Sequence, residues 1–216
     1  MTIHALPSYI LPNAPVKNKV NWLPNANRCA LLIHDMQDYF LSKYDVTRSP
    51  VPELIQHISQ LRQVCKSLGI PVFYTAQPIK QNPADRALLN DFWGPGLTAE
   101  SQHHLQATTA ALAPEPDDTV LCKWRYSAFQ RSDLRARLQA VGRDQLIITG
   151  IYAHIGCMST ALEAFMQDIQ AFFTIDATAD FSLEEHLMAI KYVSQRCGVS
   201  LTCEQITSAL TQPAAQ

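Results

Sequence analysis

Short, uninterrupted apolar runs alternate with stretches of helical spacing through most of this chain, and that alternation limits its fold more than any other feature. Cys29-Ala30-Leu31-Leu32-Ile33 is one such run and Ile70 to Ala76 a second; Thr119 to Cys122, Gln145 to Ile148, Phe172 to Asp176 and Val199 to Thr202 follow. Runs this short, without polar alternation, read as strands buried on both faces, which is the habit of a parallel sheet. Between them, Leu54, Ile55, Ile58, Leu61, Val64, Cys65 and Leu68 recur at spacings of three and four from Pro52 to Leu68, and Gly69 stops the pattern. Ser132 is a candidate N-cap for a helix over Asp133 to Val141 that ends at Gly142. A helix starting near Gly156 is expected to bury Cys157, Thr160, Ala161, Ala164 and Phe165. Ser182-Leu183-Glu184-Glu185 is a capping-box opening for a helix with Leu183, Leu187, Ile190, Val193 and Cys197 on one face, closed by Gly198. A weak helical pattern precedes Leu112, and a short helix follows the last strand. Strand, helix and next strand in one sheet imply right-handed crossovers. The expected architecture is a three-layer α/β/α domain around a six-stranded, mostly parallel sheet.

Composition narrows the function classes. With 216 residues, 47% apolar and 17% charged, the chain suits one soluble domain with a full core. A net charge of -2 gives no electrostatic case for nucleic acid or an anionic membrane surface. Neither a secretory leader pattern nor a run of about 18 apolar residues occurs. The 6 cysteines lie far apart with no C-x-x-C pair, so most of them read as core thiols in a reduced, cytoplasmic protein. Residues 1–27 carry Pro7, Pro12, Pro15 and Pro24 and read as an extended arm; 28–210 form the domain, and 211–216 a tail or the start of a linker.

In an open parallel sheet, ligands bind beyond the carboxyl ends of the strands. There the chain places Asp35 after the first strand, Gln77 after the second and Lys123 after the third. A carboxylate in such a position serves equally well as a cap or an ion-pair partner, but a lysine brought to the same edge favours chemistry. Pro78 to Leu97 is a long polar excursion carrying Arg86 and Trp93, and excursions of this length tend to be functional. Thr149-Gly150 marks the exit of the fourth strand into a turn and a helix, so the amides near Gly156 are expected to form an anion-friendly corner. His34 and His154 read as packing or hydrogen-bonding residues, and Glu184 and Glu185 as a helix cap.

The strings His34-Asp35-Met36-Gln37-Asp38-Tyr39-Phe40, Tyr74-Thr75-Ala76-Gln77-Pro78, Asp85 to Gly96, Lys123-Trp124-Arg125-Tyr126-Ser127-Ala128-Phe129 and Ile147 to Met158 occur in order along the chain. Together they resemble the isochorismatase branch of the cysteine-hydrolase superfamily over nearly the whole chain, and most closely the isochorismatases of catecholate siderophore synthesis. Cysteine hydrolases use an acid, a lysine and a cysteine; Asp35 and Lys123 match, and Gly156 stands at the cysteine position. Without a thiolate, acyl-enzyme chemistry is lost. Cys157 lies one residue late, and a shift of one residue on a helix turns the side chain by about 100°, toward the core.

The resemblance implies hydrolysis of isochorismate to pyruvate and 2,3-dihydro-2,3-dihydroxybenzoate. Asp35 is then the general acid, Lys123 its electrostatic partner, and Gly156 leaves room for the pyruvyl carboxylate, bound by the Ile155 and Gly156 amides. Arg86 is the candidate for bidentate carboxylate binding and Gln77 for a ring hydroxyl or carboxylate, while Phe40, Trp93 and Tyr152 wall off the ring. No cofactor is expected. Metal is not expected either, because the Asp-x-His pair of nicotinamidase relatives has no counterpart after Asp38 or Asp45. Relatives imply a cis peptide at Ile151-Tyr152, a homodimer or larger oligomer, and an aryl carrier domain or siderophore synthetase proteins as partners. The alternatives are a 2-amino-2-deoxyisochorismate hydrolase of phenazine synthesis, the isochorismatase-domain part of an aryl carrier protein, and an amidase using Cys157.

Overall fold

The computed structural model describes residues 3–212. Its strands are β1 (Cys29–His34), β2 (Val72–Ala76), β3 (Thr119–Cys122), β4 (Gln145–Ile151), β5 (Gln170–Ala179) and β6 (Gly198–Leu201). They form one 6-stranded sheet in the order β3-β2-β1-β4-β5-β6, with every neighbouring pair parallel. The chain builds outward from β1 through β2 to β3, then crosses back to lay β4 on the other side of β1. That reversal opens a crevice at the carboxyl ends of β1 and β4.

The helices are α1 (Asp38–Leu41), α2 (Val51–Ser67), α3 (Pro83–Arg86), α4 (Leu89–Trp93), α5 (Leu134–Ala140), α6 (Met158–Met166), α7 (Leu183–Arg196) and α8 (Cys203–Thr211). Alternate strand residues point to opposite faces and build two cores. On one face Leu31, Ile33, Tyr74, Ile147 and Phe172 pack with Leu54, Ile58 and Leu61 of α2 and Ile206 of α8. On the other, Leu32, Phe73, Ile148 and Phe173 meet Leu134 and Leu138 of α5, Ala161 and Ala164 of α6, and Val193 of α7. Each of the larger aliphatic side chains contributes roughly 1.5–3 kcal/mol by leaving water. Among the described residues, no helix is long and apolar enough to cross a membrane.

Several local expectations need correction. Phe165 on α6 is exposed, and so are Leu183 and Leu187 on α7; the buried face of α7 is His186, Ala189, Ile190, Val193 and Ser194. Small Ala189 lets the helix approach the sheet, and His186 is held by Tyr9 and Thr178, so the buried stripe is rotated from the one its leucines suggest. Gly198 does not close α7 but begins β6, where a Cβ would lie 2.7 Å from the Ala171 carbonyl oxygen. Thr149-Gly150 does not leave the sheet: β4 continues to Ile151, with Gly150 at φ +100 and pressed against β1. The weak pattern before Leu112 is a set of short 3-10 turns, Gly96–Thr98, Glu100–Leu105 and Ala110–Leu112. Ser182 caps α7 by accepting from the Glu185 amide, a contact worth about 1 kcal/mol.

Residues 3–28 form no helix or strand and lie along the domain, with Leu11 buried and Ile3, Leu6, Tyr9 and Trp22 packed on the first core. The Leu6 amide donates to the Lys43 carbonyl at 2.7 Å and the Lys19 amide to Ser194 at 2.9 Å. The expected tail falls almost entirely outside the described residues.

Candidate active site

Asp35 follows β1 directly, with φ +50, an uncommon backbone angle for a residue with a side chain. Its carboxylate accepts from Lys123 Nζ at 2.6 Å through Oδ2 and from Thr75 Oγ1 at 2.6 Å through Oδ1. Thr75 Oγ1 in turn accepts from the Asp35 amide at 3.1 Å. Lys123 reaches this point because β3 pairs with β2 up to Cys122 and its own amide then donates to the Ala76 carbonyl at 2.9 Å. Asp35 and Lys123 are both about 5% exposed, so the pair sits where water screens it little.

The Ile151–Tyr152 peptide is cis. A π-helical turn, Ala153–Cys157, follows it before α6. Here two expectations fail. The amides of Ile155, Gly156 and Cys157 all converge on the Tyr152 carbonyl, at 3.3, 3.1 and 3.2 Å, so they face inward on one shared acceptor and do not form an open anion corner. Nor does Gly156 leave an empty volume. A Cβ built there would lie 2.1 Å from His34 Cε1 and 2.9 Å from each ring nitrogen, so the imidazole fills the space.

His34 is fully buried, and its Nδ1 donates to the Ile151 carbonyl at 2.9 Å. Burial, helped by the nearby Lys123 charge, pushes its pKa down to about 4, so the ring is neutral at pH 7. Nε2 has no hydrogen-bond partner among the described residues.

Asp35, Lys123 and Gly156 open onto a cavity whose wall also includes Gln77, Arg86, Phe40, Trp93, Tyr152 and Ile155, together with Tyr39, Leu89, Arg125, Tyr126 and Ile3. All the residues singled out in the sequence as site candidates therefore meet in one place. The space is tight, about 60 Å³, against the roughly 300 Å³ or more of typical ligand pockets. Arg86 is 4% exposed; its Nε donates to the Gly94 carbonyl at 2.9 Å, and its guanidinium lies against Gly96. No carboxylate among the described residues pairs with it, and burial lowers its pKa from the usual arginine value. Phe40 and Tyr152 stack edge to face at 5.9 Å, and the Tyr152 hydroxyl donates to the Phe40 carbonyl at 3.0 Å. Trp93 Nε1 donates to the Tyr126 hydroxyl at 3.0 Å across the mouth.

Cys157 points away into the second core, its thiol directed at the Thr149 carbonyl. Burial pushes that thiol well above the usual range, the opposite of an activated nucleophile. His154 is held by Asp180, which accepts from its amide at 2.6 Å and from Nδ1 at 2.5 Å; with Glu185 these residues form a compact His-Asp-Glu cluster. Asp180 also accepts from the Phe181 amide and Glu185 from the Ser182 hydroxyl, so the cluster braces the π turn.

Sequence reasoning missed Thr75, which orients the acid, and Gln37, which accepts from the Gln77 amide at 2.7 Å and donates to the Gln77 carbonyl at 3.0 Å. It also assigned the arm no site residue, whereas Ile3 reaches the cavity wall. Polar Thr75 inside the otherwise apolar second strand was the available signal; Gln37, flanked by His34, Asp35 and Asp38, offered none.

Fold and site together define a class: a parallel α/β domain with a buried acid–lysine pair at the sheet's switch point and a glycine, Gly156, on the cavity wall beside it. A family model described as the isochorismatase domain matches residues 29–205. Over 212 residues the chain is 54% identical to an isochorismatase of Bacillus subtilis (strain 168), covering 97% of this chain and 67% of that protein. Over 211 residues it is 52% identical to enterobactin synthase component B of Escherichia coli (strain K12), covering 97% and 73%. A phenazine biosynthesis protein, PhzD, of Pseudomonas fluorescens is 44% identical over 207 residues, covering 94% and 98%. The fold is also similar to the crystal structure of a cysteine hydrolase from Pseudomonas syringae pv. phaseolicola 1448A, with TM-score 0.78 and 21% identity over 88% of this chain and 95% of that one. The chain belongs to the isochorismatase family, and it is an enzyme of the hydrolase type.

Proposed function

We propose that this enzyme hydrolyses the enol ether of isochorismate to 2,3-dihydro-2,3-dihydroxybenzoate and pyruvate, a step toward catecholate siderophores. The observation that carries the reading is a buried arginine with no acidic partner, Arg86, sharing an aromatic cavity with a buried acid–lysine pair. A buried cation left unpaired is costly unless a ligand brings the counter-charge, and isochorismate brings two carboxylates. The relatives named isochorismatase and enterobactin synthase component B, both above half identity, support the same substrate.

In this mechanism Arg86 takes one substrate carboxylate and Gln77 a ring hydroxyl, while Phe40, Trp93 and Tyr152 exclude bulk water. Asp35 is the acid that donates a proton to the terminal methylene carbon of the enolpyruvyl group. The resulting oxocarbenium ion sits beside the Asp35 carboxylate, and Lys123 holds that carboxylate in place. Water adds to the cationic carbon and gives a proton back to the Asp35 carboxylate; the hemiketal then collapses, its C–O bond to the ring breaking as the hydroxyl proton passes to the departing ring oxygen, to give pyruvate and the ring diol. No step needs a protein nucleophile, a metal or another cofactor. Because the cavity is tight, the α3–α4 wall carrying Arg86 and Trp93 moves outward to admit the substrate.

Incubation with isochorismate, with pyruvate read by lactate dehydrogenase and NADH, tests the proposal. In ¹⁸O water the label belongs in pyruvate and not in the ring diol; no pyruvate, or label in the ring, overturns it. Similarity to the phenazine biosynthesis protein makes 2-amino-2-deoxyisochorismate the competing substrate, and comparing kcat/KM for the two decides between them. The proposal includes a cytoplasmic homodimer or larger homo-oligomer built on one domain with residues 1–27 as an arm. Exposed Leu187, Met188 and Tyr192 on α7 support assembly, which sedimentation of the 24.1 kDa chain at micromolar concentration tests.

A further inference from the structure

Two glycines of the β4–α6 connection share one neighbour. A Cβ at Gly150 would lie 2.1 Å from the His34 carbonyl oxygen and 2.7 Å from its amide nitrogen, and a Cβ at Gly156 would meet the His34 ring at three atoms within 2.9 Å. Contacts that short do not occur between packed atoms, so either the ring moves or position 156 carries no side chain.

The ring is not free to move. His34 pairs in register with Thr75 on β2 and Gly150 on β4, which fixes its backbone from both sides. Its Nδ1 is committed to the Ile151 carbonyl at 2.9 Å, and the side chain is fully buried. Another rotamer would break that bond and drive the imidazole into close-packed neighbours.

We propose that His34 determines the reaction class of this site. Its imidazole occupies the volume that any side chain at position 156 needs, and this denies the Asp35–Lys123 corner a nucleophile belonging to the protein. Gly156 is then required by packing against His34, and not by the shape of the substrate. Gly156 lines the same cavity as Asp35 and Lys123, so a thiol there would have a base and an ammonium at hand, the surroundings that generate a reactive thiolate. Cys157, one residue on, is buried in the opposite core and gains nothing from them. The inference rests on the nucleophile-free hydrolysis proposed above only for its functional meaning; packing and thiol reactivity are measurable without isochorismate.

The test compares wild type with Gly156→Cys, His34→Ala and the double variant, by thermal unfolding and by iodoacetamide alkylation at pH 7. In that reaction a thiolate sulfur displaces iodide to form a thioether, and peptide fragmentation separates the thiol introduced at position 156 from Cys157. Gly156→Cys alone is expected to lower Tm by about 3–10 °C. Adding it to His34→Ala is expected to cost far less, because the vacated ring volume accommodates the thiol. In the double variant, position 156 is expected to alkylate about tenfold faster than in Gly156→Cys, with Cys157 unlabelled in both. Gly156→Ala, alone and with His34→Ala, repeats the packing comparison without a thiol. Wild-type Tm in Gly156→Cys, additive losses in the pairs, a double variant that fails to fold, or equal alkylation in both backgrounds each overturns the proposal. Failure of the pyruvate assay bears instead on the substrate.

Discussion

Replacing Asp35 with asparagine separates the charge of the acid from its shape. The carboxylate now accepts two short hydrogen bonds, from Lys123 Nζ and Thr75 Oγ1, both at 2.6 Å. An asparagine amide keeps one strong acceptor for Lys123 and offers its NH₂ to Thr75, so the geometry is largely retained. The counter-charge for a nearly buried ammonium is lost. Breaking a buried pair costs about 3–5 kcal/mol, and the retained acceptor reduces that to roughly 2–3 kcal/mol. For a chain of this length, that predicts a Tm about 4–12 °C lower in the free protein. Substrate should restore part of the loss, because its carboxylates supply the missing charge, so isochorismate stabilises the variant more than a product stabilises the wild type. Turnover should fall by about 10²-fold or more, since an amide cannot deliver a proton to carbon. The pyruvate-coupled assay gives kcat and KM, and in heavy water the wild-type pyruvate should carry one deuterium in its methyl group. Wild-type turnover in Asp35→Asn, or pyruvate without methyl deuterium, would refute the assignment of Asp35 as the carbon acid.

Arg86→Gln removes the unpaired guanidinium and should raise KM roughly 10- to 100-fold while changing kcat less, as steady-state kinetics would show. Cys157→Ala should keep near-wild-type activity, because its thiol faces the core; loss of all activity in a folded variant would revive the amidase reading. Amide exchange in Asp35→Asn should slow across residues 83–98 when isochorismate is added, since that wall must open to admit it and then close; unchanged exchange there counts against the moving wall. Stability should also fall in acid. His34 and His186 are both pushed down to about 4 by burial, from 6.5, so between those values the unfolded chain binds more protons than the folded one. Their contribution is complete above about pH 6.5 and is lost as pH falls toward 4. His154 acts in the opposite sense: burial alone would lower its pKa, but the Asp180 bonds raise it overall, so its stabilisation is held in acid and lost as pH rises. Thermal scans from pH 7.5 to 4 check the balance, and a Tm that stays flat or rises toward pH 4 contradicts it.

What the sequence determined by itself follows from periodicity and position. Strands two-sidedly apolar, such as Cys29 to Ile33, have no choice but the middle of a parallel sheet, and the residue after each strand then arrives at the ligand-binding edge. Asp35, Gln77 and Lys123 were readable for that reason, although β3 is an edge strand and β1 a central one. The inward turn of Cys157 was equally readable, because helix geometry fixes the angle between consecutive side chains. Only the tertiary structure decided which stripe of α7 is buried, since His186 gains its partners from Tyr9 and Thr178, elements apart in the chain. It alone also showed that the amides of Ile155, Gly156 and Cys157 are spent on the Tyr152 carbonyl, and that Arg86 lies buried without an acid. The meaning of Gly156 belongs with these. As a residue it reads as a missing nucleophile; as a neighbour of His34, about 120 positions earlier, it is a close-packing contact created by the register of β1 against β4, and a register is a relation between segments that neither segment contains.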